Sequence, residues 1–299
     1  NLKNPAAYSK LRLTTYAAGI SQKRIVLKSA DAKESTSITN LDYLAIGVPL
    51  SERMAVGFGL MPYTSVGYNL QSTITNPDES TLINEYSGDG GLNRVYFSLG
   101  YTSVGLDTQL NLNSENSQSI GSFSRVNGQE IEVVAVNLDA QGRKFTDVRV
   151  PTTTTLGLGI GENLKWFLGA EYSFQALGDY KNDFFKVDNL EYNDALKIAI
   201  GGYYIPEYAS FTSYFKRIVY RAGVRLANTG MVINNQDIND FGITFGTGLP
   251  LGRSVSNLNI GFEIGKRGTI EANLIKENYF KINVGLSLND KWFYKRKIN

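Results

Sequence analysis

The sequence predicts an all-β chain, a transmembrane antiparallel up-and-down β-barrel of about 12–14 strands, with fourteen favoured. Three observations predict it. Hydrocarbon residues alternate two by two with small, amide-bearing or charged ones. Connectors alternate between long and short. Charged members of the later strands all share the face opposite the hydrocarbon.

The alternation is cleanest from Asp240 to Leu288. Phe241, Ile243, Phe245 and Leu249 fall on one face, and Gly242, Thr244, Gly246 and Gly248 on the other. After the turn PLGRSVS, Leu258, Ile260, Phe262 and Ile264 oppose Asn257, Asn259, Gly261 and Glu263. Phe280, Ile282, Val284, Leu286 and Leu288 then oppose Tyr279, Lys281, Asn283, Gly285 and Ser287. A period of two is the strand signature, because successive side chains point to opposite faces.

Earlier strands follow the same rule. Leu11 to Ile20 is read as a first strand, with QKRIVLKSADAKESTS as a charged connector and a short extension at Ile25 to Leu27. Leu44, Ile46, Val48 and Leu50 share a face, as do Val56, Phe58 and Leu60 beyond the turn at Ser51 to Arg53. A polar loop at 71–91 leads to Val95, Phe97, Leu99 and Tyr101, and a tight Thr102-Ser103 turn to Val104, Leu106, Thr108 and Leu110. Residues 114–150 are the least periodic and have room for one more hairpin. Leu156, Leu158 and Ile160, a turn at Glu162-Asn163, and Trp166 to Phe174 come next. A loop at 177–193 precedes Leu196 to Tyr204, and the connector IPEYASFTSYF precedes Ile218 to Leu226.

Connectors are thus long at 22–37, 71–91, 114–150 and 177–193, and short at 51–53, 102–103 and 162–163. Outer-membrane barrels have short periplasmic turns and longer outside loops, which puts both chain ends on the short-turn side. From Trp166 onward, Glu171, Lys197, Arg217, Arg221, Arg225, Asp240, Glu263 and Lys281 all fall on the non-hydrocarbon face and are the lumen-facing candidates. Lys or Arg at the lipid midplane costs roughly 2–4 kcal/mol, so a lipid face should show such exclusion. A soluble β-sandwich also alternates. Connector alternation, glycine and asparagine on the polar face, and aromatics near strand ends favour the membrane.

The 299 residues carry a net charge of +2, so bulk electrostatics imply no nucleic acid. The chain has no Cys and no His, which excludes thiol and imidazole chemistry and the usual zinc sites. No apolar run approaches the roughly 18 residues of a membrane helix. No paired carboxylates or serine–base arrangement can be assembled, so no enzyme, cofactor or metal centre is expected. FGTGLPLG lacks the spacing and following helix of a phosphate loop. Asp31, Glu34, Asp78, Glu79 and Asp89 are read as solvated loop charge, with divalent ions bridging lipopolysaccharide as the alternative. Arg217, Arg221 and Arg225 recur every fourth residue. They suit a carboxylate head group, but a structural ladder with Glu263, Asp240 or Glu171 is favoured.

NPAAYSKL, YLAIGVPLSERMAVGFGLMPYTSVGY, GGLNRVYFSLGY, YIPEYASFTSYFKRIVYRAGV and FGITFGTGLP followed by LNIGFEIGKRGT carry a resemblance. Together they resemble the FadL-like long-chain fatty acid transporters of the outer membrane, in particular their Bacteroidota branch. The resemblance implies a fourteen-stranded barrel occluded by an N-terminal hatch, to which Asn4, Pro5 and Ala6 would belong. It divides the chain into a hatch remnant at 1–10 and a barrel at 11–299. This chain departs in having only three residues before Asn4 and no aromatic final residue. The function so implied is porin-like passive uptake of a hydrophobic small molecule, such as a fatty acid, in lipid transport. The alternative is a non-transporting accessory or docking barrel in a larger envelope complex, for example one associated with type IX secretion. Expected partners are outer-membrane lipid and lipopolysaccharide, a hydrophobic ligand, and envelope proteins.

Overall fold

The computed structural model describes residues 11–75, 81–101, 104–108, 112–115, 119–123, 130–135, 137, 139–140, 142, 145–149, 151–182, 189–251 and 256–290. The Asn4-Pro5-Ala6 hatch motif and the Thr102-Ser103 turn lie outside these residues. The order begins with β1 (Thr14–Lys28), β2 (Lys33–Pro49), β3 (Met54–Thr75), β4 (Thr81–Tyr101) and β5 (Val104–Thr108). Short strands follow: β6 (Leu112–Glu115), β7 (Ser119–Phe123), β8 (Glu130–Ala135) and β9 (Phe145–Arg149). Next come β10 (Thr153–Glu162), β11 (Trp166–Gln175), β12 (Lys181–Asn182), β13 (Leu190–Tyr192) and β14 (Ala195–Tyr204). The four-residue helix α1 (Tyr214–Arg217) precedes β15 (Val219–Ile233), β16 (Gln236–Pro250), β17 (Asn257–Arg267) and β18 (Lys276–Asp290).

These strands build one 15-stranded sheet in the order β10-β11-β14-β15-β16-β17-β18-β1-β2-β3-β4-β7-β8, with β13 beside β15 and β5 beside β4. Every pairing is antiparallel, and the first strand pairs with the last, from Thr14 opposite Asp290 to Lys28 opposite Lys276. β12, β9 and β6 form a separate small sheet. The fold is a β-barrel. The return from β5 to β10 includes residues outside those described, and the expected count of fourteen falls there.

The hydrocarbon face points outward as expected. Leu158 is 85% exposed and Ile264 59%, whereas the alternate residue Tyr279 is 5% exposed. This apolar belt does not follow the register. On β18 the outward Phe280 is hydrocarbon, but its register partners are Arg24 on β1 and Ser37 on β2. Likewise Phe174 on β11 lies in a row with Leu196 on β14 and Asn228 on β15. The belt slides by about one residue per strand. With a rise of about 3.3 Å per residue and strands about 4.8 Å apart, that slide corresponds to a tilt of about 35°, the tilt of a closed barrel. Arg24 therefore sits above the lipid rather than in it.

The same geometry corrects two expected connectors. Residues 22–37 are mostly strand, and only 29–32 turn, with Ser29 N donating to Ala32 O at 2.9 Å. Residues 71–91 are also mostly strand: β3 and β4 stay in register from Met54 opposite Tyr101 to Thr75 opposite Thr81. At 22 and 21 residues these strands have about twice the 9–11 residues needed to cross the membrane. Their distal halves project beyond the lipid as a ribbon.

Among the described residues, turns on the other side are short, as expected, with one exception. β2 and β3 are joined at 50–53 and β10 and β11 at 163–165, where Leu164 takes φ 59°. The exception is the connector 205–218, folded over the end of the wall and clamped by Glu207 N donating to Lys216 O at 2.8 Å. It carries Phe211 fully exposed and Phe215 71% exposed. On the projecting side, β15 turns into β16 through Asn234 and Asn235, at φ 50° and 60°. Two successive left-handed residues make the type I′ hairpin turn, and asparagine tolerates that backbone better than most residues.

Candidate functional site

The inner face of the wall carries two kinds of surface. Toward β1–β4 it is packed. Ala45, Met61 and Tyr96 form a buried cluster with Ala17 and Tyr43 against it, and Tyr96 is only 2% exposed. Gly59 makes room for it: a Cβ there would stand 2.9 Å from the Tyr96 ring. Beside this plug lies a lumenal cavity of about 1510 Å³ lined largely by polar and glycine residues.

Ion pairs cross-link the cavity wall. Arg225 on β15 donates through Nη2 to Asp240 Oδ1 at 3.1 Å, Glu263 Oε1 at 2.8 Å and the Tyr279 hydroxyl oxygen at 2.8 Å. Tyr279 donates in turn to Asp240 Oδ1 at 3.0 Å. Arg267 grips the other oxygen, with Nη2 and Nε at 2.7 and 2.9 Å from Asp240 Oδ2. Asp240 is 3% exposed, so its charge is stabilised chiefly by this fork of cations. Lys197 pairs with Glu171 at 2.9 Å, and Lys281 with Asp42 at 3.3 Å. Lys23 stands 4.3 Å over the Tyr279 ring and 3.8 Å from Glu277.

The structure therefore brings Arg225, Asp240 and Glu263 together as a ladder, and places Glu171, Lys197 and Lys281 on the same inner surface. Arg221 also lines the cavity, with Nη1 donating to Asn259 Oδ1 at 3.0 Å. Arg217 does not join them. It ends α1, below the wall, and its guanidinium stacks 5.3 Å from the Tyr214 ring. The expected stripe of three arginines is two on the strand and one in the connector, because β15 starts only at Val219.

Sequence reasoning missed Asp42, Lys23, Arg267 and Tyr43. Lys23 falls in the charged stretch that reads as a connector. Asp42 has the parity of Leu44 and Ile46, which would face lipid. The register shifts here: Gly19 pairs with Tyr43 and Ile20 with Leu41, leaving Asp42 as the extra residue of a β-bulge. The bulge turns Asp42 inward beside Tyr43, where Ser21 Oγ donates to it at 2.7 Å. A carboxylate at a hydrocarbon parity was the available signal.

A family model described as BamG matches residues 1–105 and 101–299. The chain belongs to the BamG family. No curated protein matches it. Among solved structures, the chain is similar to the CymD monoaromatic hydrocarbon channel, with 11% identity, a TM-score of 0.58, and coverage of 98% of this chain and 93% of that one. It is similar to the toluene transporter TodX of P. putida, with 13% identity, a TM-score of 0.55, and coverage of 98% and 93%. A FadL homologue from Pseudomonas aeruginosa aligns at 11% identity and a TM-score of 0.52, covering 95% and 91%. At these identities the likeness establishes the fold. This BamG-family chain is a β-barrel of the bacterial outer membrane.

Proposed function

We propose that this BamG-family barrel is a non-transporting docking subunit of a larger envelope complex, in the Bacteroidota branch of the FadL-like fold. The projecting ribbon carries this reading. Among the described residues, β2 and β3 pair only from Leu44 opposite Leu60 down to Pro49 opposite Ala55. Above that point the β3 edge continues for a further fifteen residues, Met61 to Thr75, paired on its other side with β4. A long, thin ribbon outside the lipid has little core of its own, and an unpaired strand edge invites a neighbour. The lumen supports the same reading. A hydrophobic cargo needs a largely apolar path, and this cavity is walled by the Arg225–Asp240–Glu263 ladder beside the Tyr96 plug.

The second reading is passive uptake of a hydrophobic small molecule such as a fatty acid. The fold shared with CymD and TodX favours it.

One pair of measurements separates the two. Replacing residues 64–92 with a short turn should leave a heat-modifiable barrel. The detergent-extracted species should then shrink from a large assembly to the barrel alone. Reconstituted wild-type protein should not accelerate toluene or fatty-acid entry into liposomes. A wild-type barrel that is monomeric on extraction and speeds that entry would reverse the assignment.

A further inference from the structure

The inner-face cations differ in one respect. Lys23, Lys197, Arg225, Arg267 and Lys281 each have a carboxylate within 4 Å. Among the described residues Arg221 has none, and it donates to the neutral amide of Asn259. Asp42, which lines the same cavity, is engaged by Lys281 and Ser21. A guanidinium has five donors, so Arg221 carries an uncompensated charge and unused donors into the lumenal cavity.

The register builds a recess around it. One cross-strand row runs Arg221, Gly246, Gly261, Asn283. The row below runs Asn259, Gly285, Gly19, Tyr43. Four glycines therefore form a floor, with a polar side chain at each corner. At Gly261 the floor is not tightly covered by a side chain: the nearest side-chain atom to an added Cβ is Asn283 Nδ2, at 3.6 Å. Its other half exists to seat Tyr43. A Cβ on Gly19 would stand 2.5 Å from the Tyr43 ring, and one on Gly285 2.5 Å from its hydroxyl. Gly248 lets the Arg221 fork lie flat, since a Cβ there would be 2.9 Å from Nη2. All eight corner and floor residues line the cavity.

We infer that Arg221, Asn259, Asn283 and Tyr43 form a binding site for a small hydrophilic carboxylate. Arginine's planar fork matches a carboxylate with two parallel hydrogen bonds, and the Asn283 amide and Tyr43 hydroxyl can donate from the opposite corners. The glycine floor itself offers space but no hydrocarbon for an alkyl tail; the aromatic rings of Tyr203 and Phe167 lie in the same row on the other side of Arg221. The site is independent of the docking role, because it lies inside the wall and the ribbon lies outside it.

The test uses the intact barrel in detergent, with acetate and succinate as probes and choline and octanoate as comparisons, followed by ligand-observed NMR. Wild type should bind acetate or succinate saturably and choline not at all. Arg221→Gln should weaken binding about tenfold or more. Gly261→Val keeps the charge but fills the floor, and should weaken it as well. Heat-modifiable mobility reports whether each variant is folded. If Arg221→Gln fails to fold, Gly261→Val decides. Unchanged binding in either folded variant overturns the site, as does equal binding of choline or no saturable binding by wild type. Octanoate binding more than tenfold tighter than acetate would put the tail in charge and overturn the hydrophilic assignment.

Discussion

Asp42 on β2 and Lys281 on β18 meet across the intervening strand β1, with Oδ1 3.3 Å from Nζ. Three strands are tied at one height by a residue that a bulge turns away from lipid. Asp42→Ala leaves Lys281 facing the cavity without its anion and Ser21 without its acceptor. The expected cost is about 1–3 kcal/mol, read as a lower unfolding temperature in detergent. Asp42→Asn keeps the Ser21 hydrogen bond and should cost less.

Asp240 holds two arginines and a tyrosine, and should be the most sensitive position in the wall. Asp240→Ala takes the carboxylate from the half-exposed Arg267 and one of two from Arg225, which keeps Glu263. Hydrogen bonds to charged groups contribute about 1.5–3 kcal/mol, and a loss toward the upper end is expected. Glu263→Gln should be milder, since Arg225 keeps Asp240. Urea titration of both variants, folded into detergent or lipid, checks the order. Equal losses would mean that the ladder does not centre on Asp240.

The two faces of the wall should respond differently to the same charge. Ile260→Arg and Val284→Arg place a cation toward lipid, at about 2–4 kcal/mol each near the midplane, and should impair assembly. Asn259→Arg and Asn283→Arg point into the cavity and should assemble better. Heat-modifiable gel mobility of the four variants is the readout.

The connector 205–218 has its own pH dependence. The hydrogen bond and charge of Lys216, 3.0 Å away, hold the Glu207 carboxyl below its usual value. A depressed carboxyl contributes its full clamp above the ordinary glutamate pKa and loses it as pH falls through the lowered one. Limited cleavage within the connector by an acid-active protease should therefore increase toward the lower value. In Glu207→Gln that increase should vanish.

The wall strands from β10 onward were legible because each has lipid on one side and water or ion pairs on the other. Phe262 against Glu263 is the pattern in miniature. The projecting halves of β1 to β4 were illegible for the same reason. Outside the lipid, strands such as Lys33 to Asn40 have two polar faces, so no hydrophobic period marks them, and they read as loop. Asp42 was hidden by a bulge that no parity count can see from one strand alone. Arg217 has the right spacing for the stripe but precedes the strand. The Arg225–Asp240–Glu263 ladder was anticipated because charges confined to one face must find one another. The Asn259–Tyr43 recess was not, because it depends on the register between four strands.

The pairing of β1 with β18 bears on how the protein is made. Thr14 and Asp290 are far apart in sequence and lie opposite each other in the wall. Closing a loop of that size is entropically slow, whereas the β15–β16 and β17–β18 hairpins close locally. The local hairpins should zip first and the seam last, so the seam is the kinetic bottleneck of maturation. Until it closes, β1 and β18 both present bare edges, each able to template a foreign strand. A circular permutant that joins 14 to 290 and opens at 50–53 would turn this last, slow step into an early local one.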